Sequence, residues 1–211
     1  MKILFVLLIL FCHTSNAVSF KVSISTPQNT TLPNVVVYLI PNKAVNNPIS
    51  EISIMDQVNQ QFKPHILPIQ TNTLVHFPNS DSIKHHVYSF SKAKKFELPL
   101  YKGSETDPLL FDKPGLIELG CNVHDWMLGY ILVVDTPHFA QTNAEGVVEF
   151  DLPADKYKVK VWHPRIQDNP SHLEKAVTLK EDTHLQFKLM SELLPSHEEY
   201  EDNDEFSDYE F

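Results

Sequence analysis

The chain has 211 residues, 42% of them hydrophobic, with 27 acidic against 17 basic side chains and a formal net charge of −10. Nine acids and no Lys or Arg fall in residues 191–211, which leaves 18 acids against 17 bases and a nearly neutral body. With Arg165 the only arginine and no basic patch, there is no electrostatic case for nucleic-acid binding.

The first seventeen residues, MKILFVLLILFCHTSNA, read as a secretory signal peptide. Lys2 supplies the charged start, Ile3–Phe11 the apolar run, and Ser15-Asn16-Ala17 the small residues before a cleavage site. A membrane-spanning helix needs about 20 apolar residues. His13-Thr14-Ser15-Asn16 ends this run too early, and no other segment is long enough. Cleavage after Ala17 predicts a periplasmic or secreted protein. It also removes Cys12 and leaves Cys121 alone, so no intrachain disulfide framework is expected. A lone cysteine in such a compartment is a buried small hydrophobe, a reactive thiol, a link to another chain or a metal ligand.

Beyond the leader the pattern is β throughout. Val22-Ser23-Ile24-Ser25 alternates, and the β-branched run Asn34–Ile40 stops at Pro41-Asn42. Leu74–Phe77, Val87–Phe90, Leu116–Leu119 and Tyr130–Val134 follow, with turn residues between most of them. Tyr157–Trp162 is a strict alternation ending at His163-Pro164, and Leu185–Leu189 repeats the pattern. Fifteen prolines and no long helical period predict an all-β sandwich protein. A boundary is expected at Asp135-Thr136-Pro137. The acidic block at 191–211 has the composition of a disordered tail, and it would attract a basic partner from a distance set by salt screening.

The chemistry concentrates in two places. Residues 119–130 read LGCNVHDWMLGY, in which Cys121, His124 and Met127 stand three apart. Upstream, His85-His86-Val87-Tyr88 opens a strand, and because side chains alternate across a strand only one of the two histidines faces a given site. One such histidine with Cys121, His124 and Met127 makes two imidazoles, a thiolate and a thioether. That set suits copper, held in a trigonal plane with the thioether as a weak axial donor. Zinc rarely recruits a thioether, and Met127 could instead be packing. His65, His76, His138, His163, His172 and His184 are scattered singly and read as structural or solvent-exposed. Met55 and Met190 read as core or surface.

These residues carry a resemblance. The stretch from about Met55 to Asp135 is similar to the cupredoxins, blue-copper Greek-key β-sandwiches, and its short ligand loop is similar to that of amicyanin. K-H-H-V resembles the first-histidine strand of that family, and the likeness extends to Gln61–His65 and Phe77–Asp81. The wording HHVYSFSKAKKFELPLYKG and LGCNVHDWMLGYILVVDTP resembles the cupredoxin-like methylamine utilization proteins. The resemblance implies one type 1 copper with His85, Cys121, His124 and Met127 as ligands. It differs from the family pattern at His86, where many members have asparagine, at Gly120, where some carry an aromatic, and at Asn122-Val123, which replaces a proline. Gly146–Tyr157 resembles the turn and strands of a carboxypeptidase regulatory-like sandwich, and Val35–Ile40 that fold's first strands. The expected organisation is therefore a leader over 1–17, N-terminal strands over 18–54, a cupredoxin-like domain over 55–136, a smaller β-domain over 137–190 and the tail.

The implied function is single-electron transfer between redox partners, which the sequence does not name. The runner-up is a copper carrier, which would favour exposed, exchangeable ligands. An enzyme is not expected: there is no H-x-H pair for a multicopper cluster, no G-x-S-x-G and no Gly-rich phosphate loop. Neither partner nor oligomeric state can be read from the chain.

Overall fold

The structure, a computed structural model, describes residues 17–43, 52–104 and 106–196. Most of the expected leader, including Cys12, and most of the acidic tail lie outside the described residues. In chain order the strands are β1 (Ala17–Ser25), β2 (Val36–Pro41), β3 (Ser53–Ile54), β4 (Asp56–Val58), β5 (Gln61–Lys63) and β6 (Ile66–Gln70). They continue as β7 (Thr73–His76), β8 (His85–Ser89), β9 (Phe96–Tyr101), β10 (Leu109–Phe111), β11 (Gly115–Cys121) and β12 (Leu128–Val134). The last are β13 (Phe139–Gln141), β14 (Val147–Pro153), β15 (Lys156–Trp162), β16 (Glu174–Thr178) and β17 (Thr183–Lys188). A single 3-10 turn at Pro170–His172 is the only helical element among the described residues, so the chain is all-β as read. No helix among those residues is long and apolar enough to cross a membrane.

Apart from the two-stranded β4-β5 pair, the sheets stack in four layers. First comes β14-β1-β17, then β13-β2-β15-β16, then the five-stranded sheet β6-β12-β11-β8-β9, and last β10-β7-β3. Each gap between layers holds its own apolar cluster. The outer cluster joins Phe20, Val22, Val37, Leu39, Val159 and Phe187. The central cluster joins Met55, Phe77, Phe111, Ile117, Leu119 and Ile131. The one between the middle sheets holds Val36, Ile66, Leu132 and Val134, with Tyr130 and Trp162 against it.

Strands in the two middle layers are covered on both faces, and their sequences show why. Along β12, Ile131 and Val133 point into the central cluster while Leu132 and Val134 point into the middle one. A strand with apolar neighbours on both faces must be apolar at every position, so ILVV and VVVYL are unbroken runs rather than alternations. The residues of the outer cluster come from both sides of the central ones in sequence, 18–39 and 140–193. The chain leaves through β2, builds the central sandwich, and returns after Val134.

Two edges are protected by proline. Pro68 lies in β6 and Pro99 in β9, the two edge strands of the five-stranded sheet, where a missing N–H costs least. The β8–β9 register shifts between His85 and Val87: His85 pairs with Tyr101 but Val87 with Leu98, so β9 carries one extra residue opposite His86.

Candidate metal centre

The site forms where β8 and β11 lie side by side and the β11–β12 loop closes over them. Burial along β8 alternates strictly: His85, Val87 and Ser89 are buried, while His86 and Tyr88 are half-buried. Cys121 ends β11 in the same inward phase as Ile117 and Leu119, and pairs with Val87. His85, two residues from Val87 on the same face, is therefore Cys121's diagonal neighbour across the ladder. The hairpin then turns over Asn122–Met127. The Met127 amide donates to the His124 carbonyl at 3.0 Å, closing a tight turn with Asp125 and Trp126 at its tip.

This geometry brings three donors together. Cys121 Sγ lies 3.7 Å from His85 Nδ1 and 3.8 Å from His124 Nδ1. All three donor atoms fall within 4.8 Å of one another, and all three residues are buried. Bonds of roughly 2.3 Å to sulfur and 2.0 Å to nitrogen meeting at about 120° separate S and N by roughly 3.7 Å. The donor set thus fits a first-row metal with little movement. Met127 is buried in the same cluster as Cys121.

His86 points to the other face, where its Nε2 lies 2.7 Å from Glu97 Oε1. There it joins Tyr88, Phe96 and Asn122 along an open groove of about 450 Å³. The glycine at position 120 has a steric reason. The Tyr88 ring lies so close that a Cβ at 120 would come within 2.6 Å of it. The neighbouring strand's ring occupies the space that an aromatic at 120 would need.

A polar network supports the site. Asn79 is buried, and its side-chain amide donates to the carbonyls of Ile83 and Tyr101, both at 2.9 Å. The Tyr101 hydroxyl donates to the Phe77 carbonyl at 2.7 Å and accepts from Gln57 Nε2. Burial pushes the Tyr101 phenol up to about 12. The Gln57 amide oxygen is buried and has no hydrogen-bond partner among the described residues. Asp81 Oδ2 lies 2.8 Å from His85 Nε2, and the carboxylate also accepts from the Asn59 and Gln60 amides at 2.6 and 2.9 Å. Burial acts to raise the Asp81 pKa, but the Gln60 amide, His85 and the Asn59 amide together hold it below the usual carboxylate range. Sequence reasoning assigned no role to Gln57, Asn79, Asp81 or Tyr101. The one signal within reach was spacing: Asp81 stands four residues before His85, in the loop that leads into β8.

The remaining histidines among the described residues stay apart from this cluster. His65 packs edge-on against Tyr130, His138 against Tyr157, and His184 Nε2 lies 2.9 Å from Ser23 Oγ. Met55 is fully buried in the central core and Met190 is exposed.

No protein-family model and no curated protein matches the chain. Among solved structures it is similar to a Cu-containing nitrite reductase from Thermus scotoductus SA-01, at 23% identity and a TM-score of 0.39. That match covers 46% of this chain and 26% of the reductase, so this chain spans only part of that enzyme's length. A purple cupredoxin from Nitrosopumilus maritimus matches at 23% identity over 40% of this chain and all of its own, with a TM-score of 0.35. A reduced amicyanin variant matches at 16% identity over 46% of this chain and 99% of its own, with a TM-score of 0.36.

Proposed function

We propose that this chain is an exported type 1 copper protein that carries single electrons between redox partners, with His85, Cys121, His124 and Met127 as ligands. The observation that carries the reading is the buried Cys121 thiol set between two imidazole Nδ1 atoms at nearly equal distances. Bound there, copper would supply a one-electron couple. The chain's own residues do the rest. His85 and Cys121 are held by two paired strands, so the donors are placed by the sheet before any metal arrives, and little rearrangement accompanies a change of charge. His124 sits on the loop instead, 9% exposed, with the Trp126 ring 5.1 Å away. Trp126 and Val123 are about half exposed beside it. His124 thus lies between the buried thiol and these exposed side chains, and it is the electron's exit in this reading.

Burial of the ligands weighs against the carrier alternative, because exchange needs access, and we read the chain as a carrier of electrons rather than an enzyme. The organisation we infer is a copper unit over 55–136 inserted into a β-domain formed by the flanking strands. Export rests on the leader sequence. The test is an optical spectrum of the pure protein with one equivalent of Cu(II). An intense thiolate-to-copper charge-transfer band is expected, absent in Cys121→Ser. A colourless copper complex would exclude a type 1 centre.

A further inference from the structure

We propose that Asp81 is a positioning residue for this centre: its carboxylate locks His85 in the tautomer that presents a bare Nδ1 toward Cys121, and its charge favours the oxidised metal. The inference rests on the copper reading above and adds a residue to it.

A carboxylate only accepts hydrogen bonds, so the short contact from Asp81 Oδ2 to His85 Nε2 places the ring proton on Nε2. A neutral imidazole with its proton there has a lone pair on Nδ1, which is the atom facing Cys121 Sγ. The ring is fully buried and the carboxylate is 12% exposed.

Asp81 is itself tightly held. Asn59 and Gln60, whose amides it accepts, form the two-residue turn joining β4 to β5, with φ of 54° and 57°. Both are non-glycine residues in the left-handed region, where the second position of such a turn usually takes glycine. The same carboxylate therefore anchors a disfavoured turn and orients the histidine. From the other side, the Asp81 amide donates to Asn79 Oδ1 at 3.0 Å, and Asn79 in turn binds the carbonyl of Tyr101, His85's partner across the ladder. His85 is thus fixed from two strands and one hairpin. A carboxylate accepting a hydrogen bond from the far nitrogen raises the basicity of the ligating one, and its charge would stabilise the more highly charged metal.

Two variants separate the two effects. Asp81→Asn keeps an acceptor oxygen and removes the charge; Asp81→Ala removes both. Nitrogen NMR of the metal-free protein should show His85 protonated on Nε2 in the wild type and in Asp81→Asn, with a mixture of tautomers in Asp81→Ala. With copper bound, Asp81→Asn should show a higher reduction potential, and Asp81→Ala should bind Cu(II) ten-fold or more weakly, in line with losses of about 10–100-fold for such partners. A wild-type His85 protonated on Nδ1, or a potential unchanged in Asp81→Asn, would overturn the inference. The tautomer is read without metal, so a colourless wild-type complex would sink the copper reading while the NMR result still decided the role of Asp81. If Asp81→Ala fails to fold, the wild-type tautomer and the Asp81→Asn potential decide.

Discussion

The two sandwiches of this chain fill their interiors differently. The outer one packs Phe20, Val22, Ile24, Leu39, Val159 and Phe187 against one another, and the polar side chains buried in or beside it, Ser25, Thr26, Thr136, Thr142 and Asp168, are hydroxyls and one carboxylate. Thr142 Oγ1 accepts from the Val35 amide at 3.0 Å and donates to the Leu32 carbonyl at 2.7 Å, tying a loop to a strand end. The central sandwich uses equally large apolar residues but also buries Gln57, Asn79, His85, Ser89, Cys121 and His124. Burying an amide or imidazole is unfavourable unless its hydrogen-bonding groups are matched, so such groups serve stability poorly beside leucine or phenylalanine. Two of these groups, His85 and His124, converge on the Cys121 thiol. The outer core encloses no such donor group among the described residues, and the central one encloses the His85, Cys121 and His124 cluster.

That division can be broken most directly at the two adjacent histidines. His85→Ala should abolish the charge-transfer band, whereas His86→Ala, altering only the outer face, should leave it. The reverse result, read in the same optical titration, would move the site to the wrong face of β8. Next in size is a cavity in the outer core. Phe20→Ala removes a fully buried ring and should cost about 3–5 kcal/mol in urea unfolding. Its copper spectrum should keep the wild-type band position while the protein remains folded, and a shifted band would mean that the two cores are strained together.

A smaller effect is expected where the sandwiches meet. His163 lines a cavity of about 250 Å³ with Leu116, Glu118 and Tyr130 from the central sandwich and Trp162 and Leu173 from the outer one. Burial, with help from the Arg165 and His65 charges, pushes His163 down to about 4. An unfolded histidine titrates near 6.5, so between these values the unfolded chain binds the extra proton. The contribution is present in full above about pH 6.5 and is lost as the pH falls toward 4, amounting to at most about 3 kcal/mol. As the pH falls across that range, wild type should lose up to about 3 kcal/mol more stability in urea unfolding than His163→Gln, whose side chain binds no proton. Parallel curves would place His163 in contact with water.

The smallest change is expected from the axial position. Met127→Leu should keep copper and its colour but raise the reduction potential, because a weak thioether donor to the oxidised metal is lost. An unchanged potential in voltammetry would make Met127 a packing residue, which its burial alone would also explain.

How much of this was legible in the sequence follows from the range of each interaction. Strand alternation and the density of turns announce an all-β chain because they depend on neighbours a few residues away. The Cys121, His124 and Met127 spacing was legible for the same reason: a six-residue turn between paired strands leaves its side chains nowhere far to go. Alternation along β8 also says that only one of His85 and His86 can join them. Which one is settled by packing. A pleated strand offers both faces equally, and only the sheet carrying Val75 and Phe111 makes the His85 face the interior. The continuous apolar runs of β2 and β12 looked like ordinary strands until the stack of four sheets gave them neighbours on both sides. Gln57, Asn79 and Tyr101 could not be assigned in advance, because polar residues distant in sequence acquire a shared role only when the fold removes water from between them. Asp81, four residues from His85, sat in plain view, but its hold on the turn at Asn59-Gln60 required the chain to close on itself.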